Sequence, residues 1–261
     1  MISFLLLFLC ATYKTVFVFS RICMVYKEVI SPSEFPLLQR GVWVKLSNTG
    51  KRFNREWIFR HLTYEFISGK SYAICGPNGA GKSTLLQVIA GAVLHNEGTI
   101  EYKTDSRSLM PDKHAEAAGN QPPASSINSY QYISLAAPYL ELVEEMTAKE
   151  MLQFHAQFKS LTKPVAEILE IAGLEKTTNK QIRYFSSGMK QRLKLVQAFF
   201  SASPLLLLDE PTTNLDADGI ALYHQLINDH TKDKILIVSS NDTQEYDFCE
   251  EVIRIGEYKS A

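Results

Sequence analysis

The chain has 261 residues, 46% of them hydrophobic and 21% charged, with a formal net charge of −1 at pH 7. This length and apolar fraction allow one large α/β domain or two small ones. The balanced charge provides neither the basic field expected of a nucleic-acid binder nor the acidic excess of a disordered tail. Cys10, Cys23, Cys75 and Cys249 are scattered without metal-ligand spacing; they fit a reducing compartment, with Cys75 as a small core residue.

Met1 to Ser20 is strongly apolar but broken by Lys14. It lacks the basic n-region and clear cleavage site of a signal peptide, and it is marginal as a spanning helix. A membrane anchor, an unusual signal and an extension foreign to the fold are the three readings. The last is expected, because Met24 offers an alternative start. Pro32 and Pro36 mark a linker, so residues 1–40 are set apart from a domain at 41–261.

Val42 to Leu46 alternates as a strand does, and Trp57-Ile58-Phe59 followed by Leu62, Tyr64 and Phe66 continues the β pattern to the Ser68-Gly69 turn. Ser71 to Cys75 is a short buried strand. Gly76-Pro77-Asn78-Gly79-Ala80-Gly81-Lys82-Ser83-Thr84 then meets the phosphate-binding pattern of a glycine, four residues and Gly-Lys-Ser. A helix with an apolar stripe of Leu85, Leu86, Val88 and Ile89 should follow, closed by Gly91 in the left-handed conformation. Gly98 to Tyr102 is another strand. Residues 103–129 lose all periodicity and are expected to form a surface insertion or disordered loop.

Tyr132 to Leu135 resumes a strand, and Thr147-Ala148-Lys149-Glu150 has the spacing of a capping box for a helix reaching about Lys159. Pro164 opens a second helix that Gly173 ends. Phe185 to Phe200 is helical after its first turn, Leu205 to Leu208 is a strand, Ala217 to His230 is helical, and Ile235 to Val238 and Val252 to Ile255 are two more strands. Strands alternating with helices predict a largely parallel sheet covered on both faces, with an inserted helical subdomain at about 139–200.

The chemistry follows from residue types. Gly79 and Gly81 let backbone N–H groups approach phosphate oxygens beside a helix N-terminus. Lys82 reaches the β and γ phosphates, and the Ser83 hydroxyl is a hard oxygen ligand for Mg²⁺. The apolar strand Leu205–Leu208 runs into Asp209 and Glu210 at the sheet edge where parallel α/β folds bind ligands. Asp209 can hold Mg²⁺ and Glu210 can polarise an attacking water. By itself an apolar strand ending in surface acids is commonplace; after a phosphate loop it is informative.

Phe185-Ser186-Ser187-Gly188-Met189-Lys190-Gln191-Arg192, just upstream of that strand, resembles the signature motif of ABC-transporter ATPases, with a merely capped helix as the alternative. The resemblance extends over about 41–258. It implies a P-loop NTPase core, an N-terminal antiparallel β subdomain and ATP with Mg²⁺ as the bound species. It also implies that Ser186, Ser187 and Gly188 face the γ-phosphate held by an opposite subunit, and that Asp216, in Pro211-Thr212-Thr213-Asn214-Leu215-Asp216, contacts the partner's phosphate loop. Phe53 stands where the family places an aromatic that stacks on adenine, a strand-end core aromatic being the alternative. Two positions depart from the family. Ala137-Pro138-Tyr139 occupies the place of a glutamine that touches Mg²⁺ and water, and Asn241 that of a histidine near the γ-phosphate.

The expectation is therefore an ATPase subunit on the cytoplasmic face of a membrane, closing head to tail with a copy or homologue and driving a separate permease, in the export direction. The face around Tyr139 to Met151 is expected to meet the permease. A clamp acting on DNA or ribosomes is the rival from another class, disfavoured by the lack of a coiled coil, a second ATPase half or a basic stripe. An ATP sensor with weak hydrolysis is the second rival, favoured by Asn241 and Pro138.

Overall fold

The computed structural model describes residues 42–104, 107–108 and 132–259. The expectations for residues 1–40, and for most of 103–129, lie outside these. The first elements form a long antiparallel hairpin, β1 (Trp43–Phe53) and β2 (Glu56–Ile67). They join β4 (Glu97–Thr104) and β5 (Arg107–Ser108) in a sheet of order β2-β1-β4-β5. β1 runs well beyond Leu46, where the clean alternation stops, because register shifts between Leu46 and Arg52 keep it paired with β2. β4 likewise extends through Thr104, into the stretch expected to be irregular.

The second sheet contains β3 (Ser71–Cys75), β6 (Ile133–Ala136), β7 (Leu205–Asp209), β8 (Ile235–Ser240) and β9 (Glu251–Arg254), all parallel, in the order β6-β7-β8-β3-β9. The helices are α1 (Lys82–Ile89), α2 (Ala148–Ala156), α3 (Val165–Ile171), α4 (Ser187–Phe199) and α5 (Ala217–His230).

The strand period of two sorts the core. Leu205, Leu207, Ile235 and Ile237 face a cluster shared with α1 and the β1–β2 hairpin. Leu206, Leu208, Leu236 and Val238 face a second cluster shared with α2, α3, α4 and α5. The helical segment thus has the same hydrophobic core as one face of the parallel sheet. Because β7 and β8 are covered on both faces, they are apolar runs without alternation.

Local signals set the helix ends. Thr147 forms the reciprocal capping box with Glu150. α2 nevertheless stops at Ala156, and residues 157–158 turn away, so the helix is shorter than its apolar pattern suggests. Gly91 and Gly173 have positive φ, as left-handed exits from α1 and α3 require.

Candidate functional site

The carboxyl ends of β3, β7 and β8 lie along one edge of the parallel sheet. β3 runs into the loop from Gly76 to Gly81, in which Gly76, Gly79 and Gly81 all have positive φ. Gly81 is the N-cap of α1, and Leu85 N–H donates to its carbonyl at 2.9 Å. A Cβ on Gly81 would lie 2.3 Å from Ile58 Cγ2, so this glycine is required by φ and by space alike. A Cβ on Gly79 would meet nothing, which leaves its backbone open to a ligand. Ala80 N–H donates to Pro77 O at 3.1 Å and tightens the loop.

Lys82 is 5% exposed. Its Nζ donates to Gly76 O at 2.9 Å and to Pro77 O at 3.3 Å, so the ammonium is held inside the loop that its own backbone forms. Ile58, Asn78, Gly79, Gly81, Lys82, Ser83, Thr84 and Glu210 line one open cleft. The loop and the acid after β7, read separately from the sequence, therefore share a site. Ile58 was not anticipated there; it belongs to β2, and only the crossing of the hairpin over Gly81 brings it in.

The two acids differ in environment. Asp209, the last residue of β7, is 2% exposed, and its Oδ1 is buried without a hydrogen-bond partner. A buried carboxylate oxygen without a donor is costly, and a hard cation shared with the Ser83 hydroxyl would satisfy it. Among the described residues no group of three or more His, Cys, Asp or Glu forms an alternative metal site. Glu210 lines the cleft with φ +42, a left-handed conformation unusual for a residue with a side chain, and its N–H donates to Ser239 O at 2.8 Å.

Asn241 follows β8, is exposed, and donates from Nδ2 to Asn78 Oδ1 at 3.2 Å. It therefore touches the phosphate loop. Ala137 O and Pro138 O accept from Lys194 Nζ at 3.4 and 2.9 Å. Tyr139 is 44% exposed and its hydroxyl bonds Gln87; burial, and the nearby Asp209 carboxylate, push the phenol pKa up.

The remaining expected residues lie apart from the cleft. Phe53, at the end of β1, is 48% exposed, and Lys51 Nζ sits 4.7 Å from its ring centroid. It is not a core residue. Trp57, across the hairpin, has the Arg52 and Arg60 guanidiniums over its ring, at 5.4 and 4.5 Å from the centroid. Ser186 is the N-cap of α4, its Oγ accepting from Met189 N–H at 3.2 Å, while Ser187 is the first helical residue. Gly188 packs close to the turn after β7, since a Cβ there would lie 3.0 Å from Asn214 O. Asp216 is the N-cap of α5, accepts from Gly219 N–H at 2.9 Å and from Arg192 at 2.5 Å, and has its carboxyl pKa lowered by these contacts, Arg192 foremost; its side chain remains 69% exposed.

Comparison with known proteins bears on family and fold. A family model described as ABC transporter matches residues 59–213. The chain is 31% identical to the linearmycin resistance ATP-binding protein LnrL of Bacillus subtilis, over 66% of this chain and 52% of LnrL, about half that relative's length. It is 26% identical to the putative hemin import ATP-binding protein HrtA of Staphylococcus aureus, over 82% of this chain and 95% of HrtA. The dimeric post-hydrolysis ATP-binding cassette MJ0796, bound to ADP and Pi, superposes with a TM-score of 0.65 at 23% identity, covering 82% of this chain and 95% of that one, a likeness of fold.

Proposed function

The chain belongs to the ABC transporter family as an ATP-binding subunit, and from that premise we propose that it hydrolyses ATP as one half of a head-to-tail pair that drives export through a separate membrane permease. The observation that carries this is the shared cleft. Gly79, Gly81, Lys82 and Ser83 line it together with Glu210, and the unpartnered oxygen of Asp209 lies buried at the end of β7. In this reading Gly76 to Gly81 wrap the phosphates, Lys82 supplies positive charge to the β and γ groups, and Thr84 borders the cleft. Ser83 and Asp209 would hold Mg²⁺, which when bound neutralises charge on the phosphates. Glu210 accepts a proton from the attacking water, and Asn241 donates its amide hydrogen to the γ-phosphate. Phe53, exposed at the tip of the hairpin whose Ile58 borders the cleft, stacks on the base.

The pairing is supported by what the cleft lacks. Ser186, Ser187 and Gly188 are not among its lining residues, so the anion-binding end of α4 is free to serve a second copy's nucleotide, with the exposed Asp216 carboxylate toward that copy's phosphate loop. The short helical segment between Tyr139 and Ser186 supports export, and the face around Tyr139 to Met151, with Tyr139 44% exposed, suits the permease contact. Among the described residues no helix is long and apolar enough to cross a membrane, which fits a subunit held at the cytoplasmic face through its partner. Residues 1–40 would be dispensable for nucleotide binding.

The Glu210→Gln variant tests the reading. It should bind ATP, turn over at least about a hundredfold more slowly on general-base magnitudes, and accumulate as an ATP-dependent pair in size-exclusion chromatography; wild-type turnover would refute it. Direction is read from substrate movement in inside-out vesicles containing the co-purified permease. The second reading, an ATP sensor with weak hydrolysis, is favoured by the neutral Asn241 on Asn78, and turnover that stays negligible with the permease present would select it.

A further inference from the structure

Glu245 is a buried acid that the proposed chemistry does not use. It is 4% exposed, and among the described residues no cation forms an ion pair with it. Its Oε1 accepts from Thr212 N–H at 2.8 Å and from the Thr212 hydroxyl, and its Oε2 is buried without a partner. The Tyr223 hydroxyl donates to its carbonyl at 2.6 Å and fixes the backbone beneath it. An uncompensated buried carboxylate is a poor device for stability, so its contacts are more informative than its burial.

Those contacts converge on the turn that presents Glu210. This turn begins with Glu210 at φ +42. It is closed by Thr213 N–H to Glu210 O at 3.2 Å and Leu215 N–H to Thr212 O at 2.9 Å. Gln191, 3% exposed, donates from Nε2 to Pro211 O at 2.9 Å, holding the turn on the side of α4. Glu245 holds the other side, from the loop that also bears Asn241. A left-handed conformation at a side-chain-bearing residue persists only where its surroundings over-determine it. Here the restraints are Ser239 O on Glu210 N–H, Gln191 on Pro211 and Glu245 on Thr212.

We propose that Glu245 is a positioning residue for Glu210: by gripping Thr212 through its N–H and hydroxyl, it keeps the Glu210–Thr212 turn in the left-handed geometry that directs the Glu210 carboxylate into the phosphate cleft. The assignment rests on the reading of Glu210 as the base. It also gives the stretch from Asn241 to Glu245 two ends, one on the phosphate loop through Asn78 and one on the turn of the base.

The test is steady-state ATPase kinetics of the full chain with ATP affinity measured separately. Glu245→Ala should lower kcat by between about ten- and a hundredfold, the range that a displaced catalytic group produces, with ATP affinity unchanged. Glu245→Gln, which keeps one oxygen for Thr212, should recover most of that loss. In the Glu210→Gln background Glu245→Ala should cause no additional loss. Should Glu245→Ala fail to fold, Thr212→Val, which removes only the hydroxyl arm, must still lower kcat at constant ATP affinity. Wild-type kcat in Glu245→Ala, or in Thr212→Val if that is the variant that folds, overturns the proposal, as does a loss carried by ATP affinity. Wild-type turnover in Glu210→Gln overturns the base assignment and this proposal together. A dead Glu210→Gln beside a fully active Glu245→Ala overturns the role of Glu245 alone.

Discussion

The most quantitative consequence of the packing concerns His155, in the last turn of α2. Its Nε2 is 2.7 Å from Ser201 Oγ, and Gln197 Nε2 is 3.0 Å from its Nδ1, while Ser201 Oγ–H donates to Gln197 O at 2.6 Å. One neutral tautomer, with the proton on Nε2, satisfies all three contacts. Burial, helped by the nearby Lys159 ammonium, pushes the imidazole pKa down to about 4 from an ordinary 6.5. The unfolded chain therefore binds a proton between pH 6.5 and 4 that the folded chain refuses. Stability from neutral His155 is complete above pH 6.5 and is lost as the pH falls toward 4. A shift of about 2.5 units at about 1.4 kcal/mol per unit makes the loss about 3 kcal/mol. Urea unfolding of the wild type and of His155→Gln between pH 7 and 4 measures it, because carboxylate titrations common to both chains cancel in the difference. The wild type should lose about 3 kcal/mol relative to the variant across that window. A difference independent of pH would refute the argument, and would mean that the Gln197 amide turns over so that its otherwise unpartnered Oε1 accepts from a protonated Nδ1.

Three further outcomes follow from the site. Lys82→Ala should weaken ATP binding on the order of a hundredfold or more, the scale of removing one charge from a desolvated pair, as read by titration calorimetry. Gly81→Ala should abolish ATP binding, because its Cβ would overlap Ile58 at 2.3 Å and its φ is +103; Ile58→Ala in the same chain should relieve the overlap but not the backbone strain, so binding should return only in part. Asn241→Ala should remove most remaining turnover while ATP binding persists. Asn241→His should raise turnover on the order of tenfold through a charge-assisted hydrogen bond, and should introduce a pH dependence between about 6 and 8 that the wild type lacks.

How far the sequence reaches is visible in particular residues. The phosphate loop, the alternation of strands and helices and the acid pair at the end of β7 are local patterns, and each stands where the residue types placed it. Ser186 caps α4, which the sequence leaves open between two neighbouring serines, because a cap depends on the φ/ψ of one residue. α2 ends at Ala156 although apolar spacing continues to Phe158, because the backbone turns after Gln157 and leaves Phe158 58% exposed. Asp209 and Glu210 look equivalent as a pair, yet β7 ends at Asp209 and Glu210 turns out of the strand with φ +42, so one is buried and the other borders the cleft. Ile58, Gln191 and Glu245 escaped notice for a common reason. Each acts on a residue distant in sequence, Gly81, Pro211 and Thr212, and no periodicity or spacing records such a pairing.

The turn from Glu210 to Asp216 is where these distant pairings accumulate, and that constrains how the subunit can move. α4 reaches it through Gln191 on Pro211 O, through the close approach of Gly188 to Asn214 O and through Arg192 on Asp216. At its other end α4 is anchored by Lys234, whose Nζ donates to Phe199 O at 2.8 Å and to Ser201 O at 3.1 Å. Burial of Lys234 pushes its pKa down to about 8, so the anchor still bears a charge at neutral pH, at the helix end where a cation is favourable. A helix held by three contacts to one turn and by an ammonium at its far end tilts alone only by breaking them. Any displacement of Ser186 to Gly188 toward a partner's nucleotide must either carry the Glu210 turn along as one body or break the Gln191–Pro211 bond. The second course leaves a buried amide and a buried carbonyl unpaired, a cost of about 1–3 kcal/mol for each such group. Movement as one body is therefore the cheaper course, and in the proposed pair it would couple the arrival of the signature end at a second nucleotide to the position of Glu210 at the first.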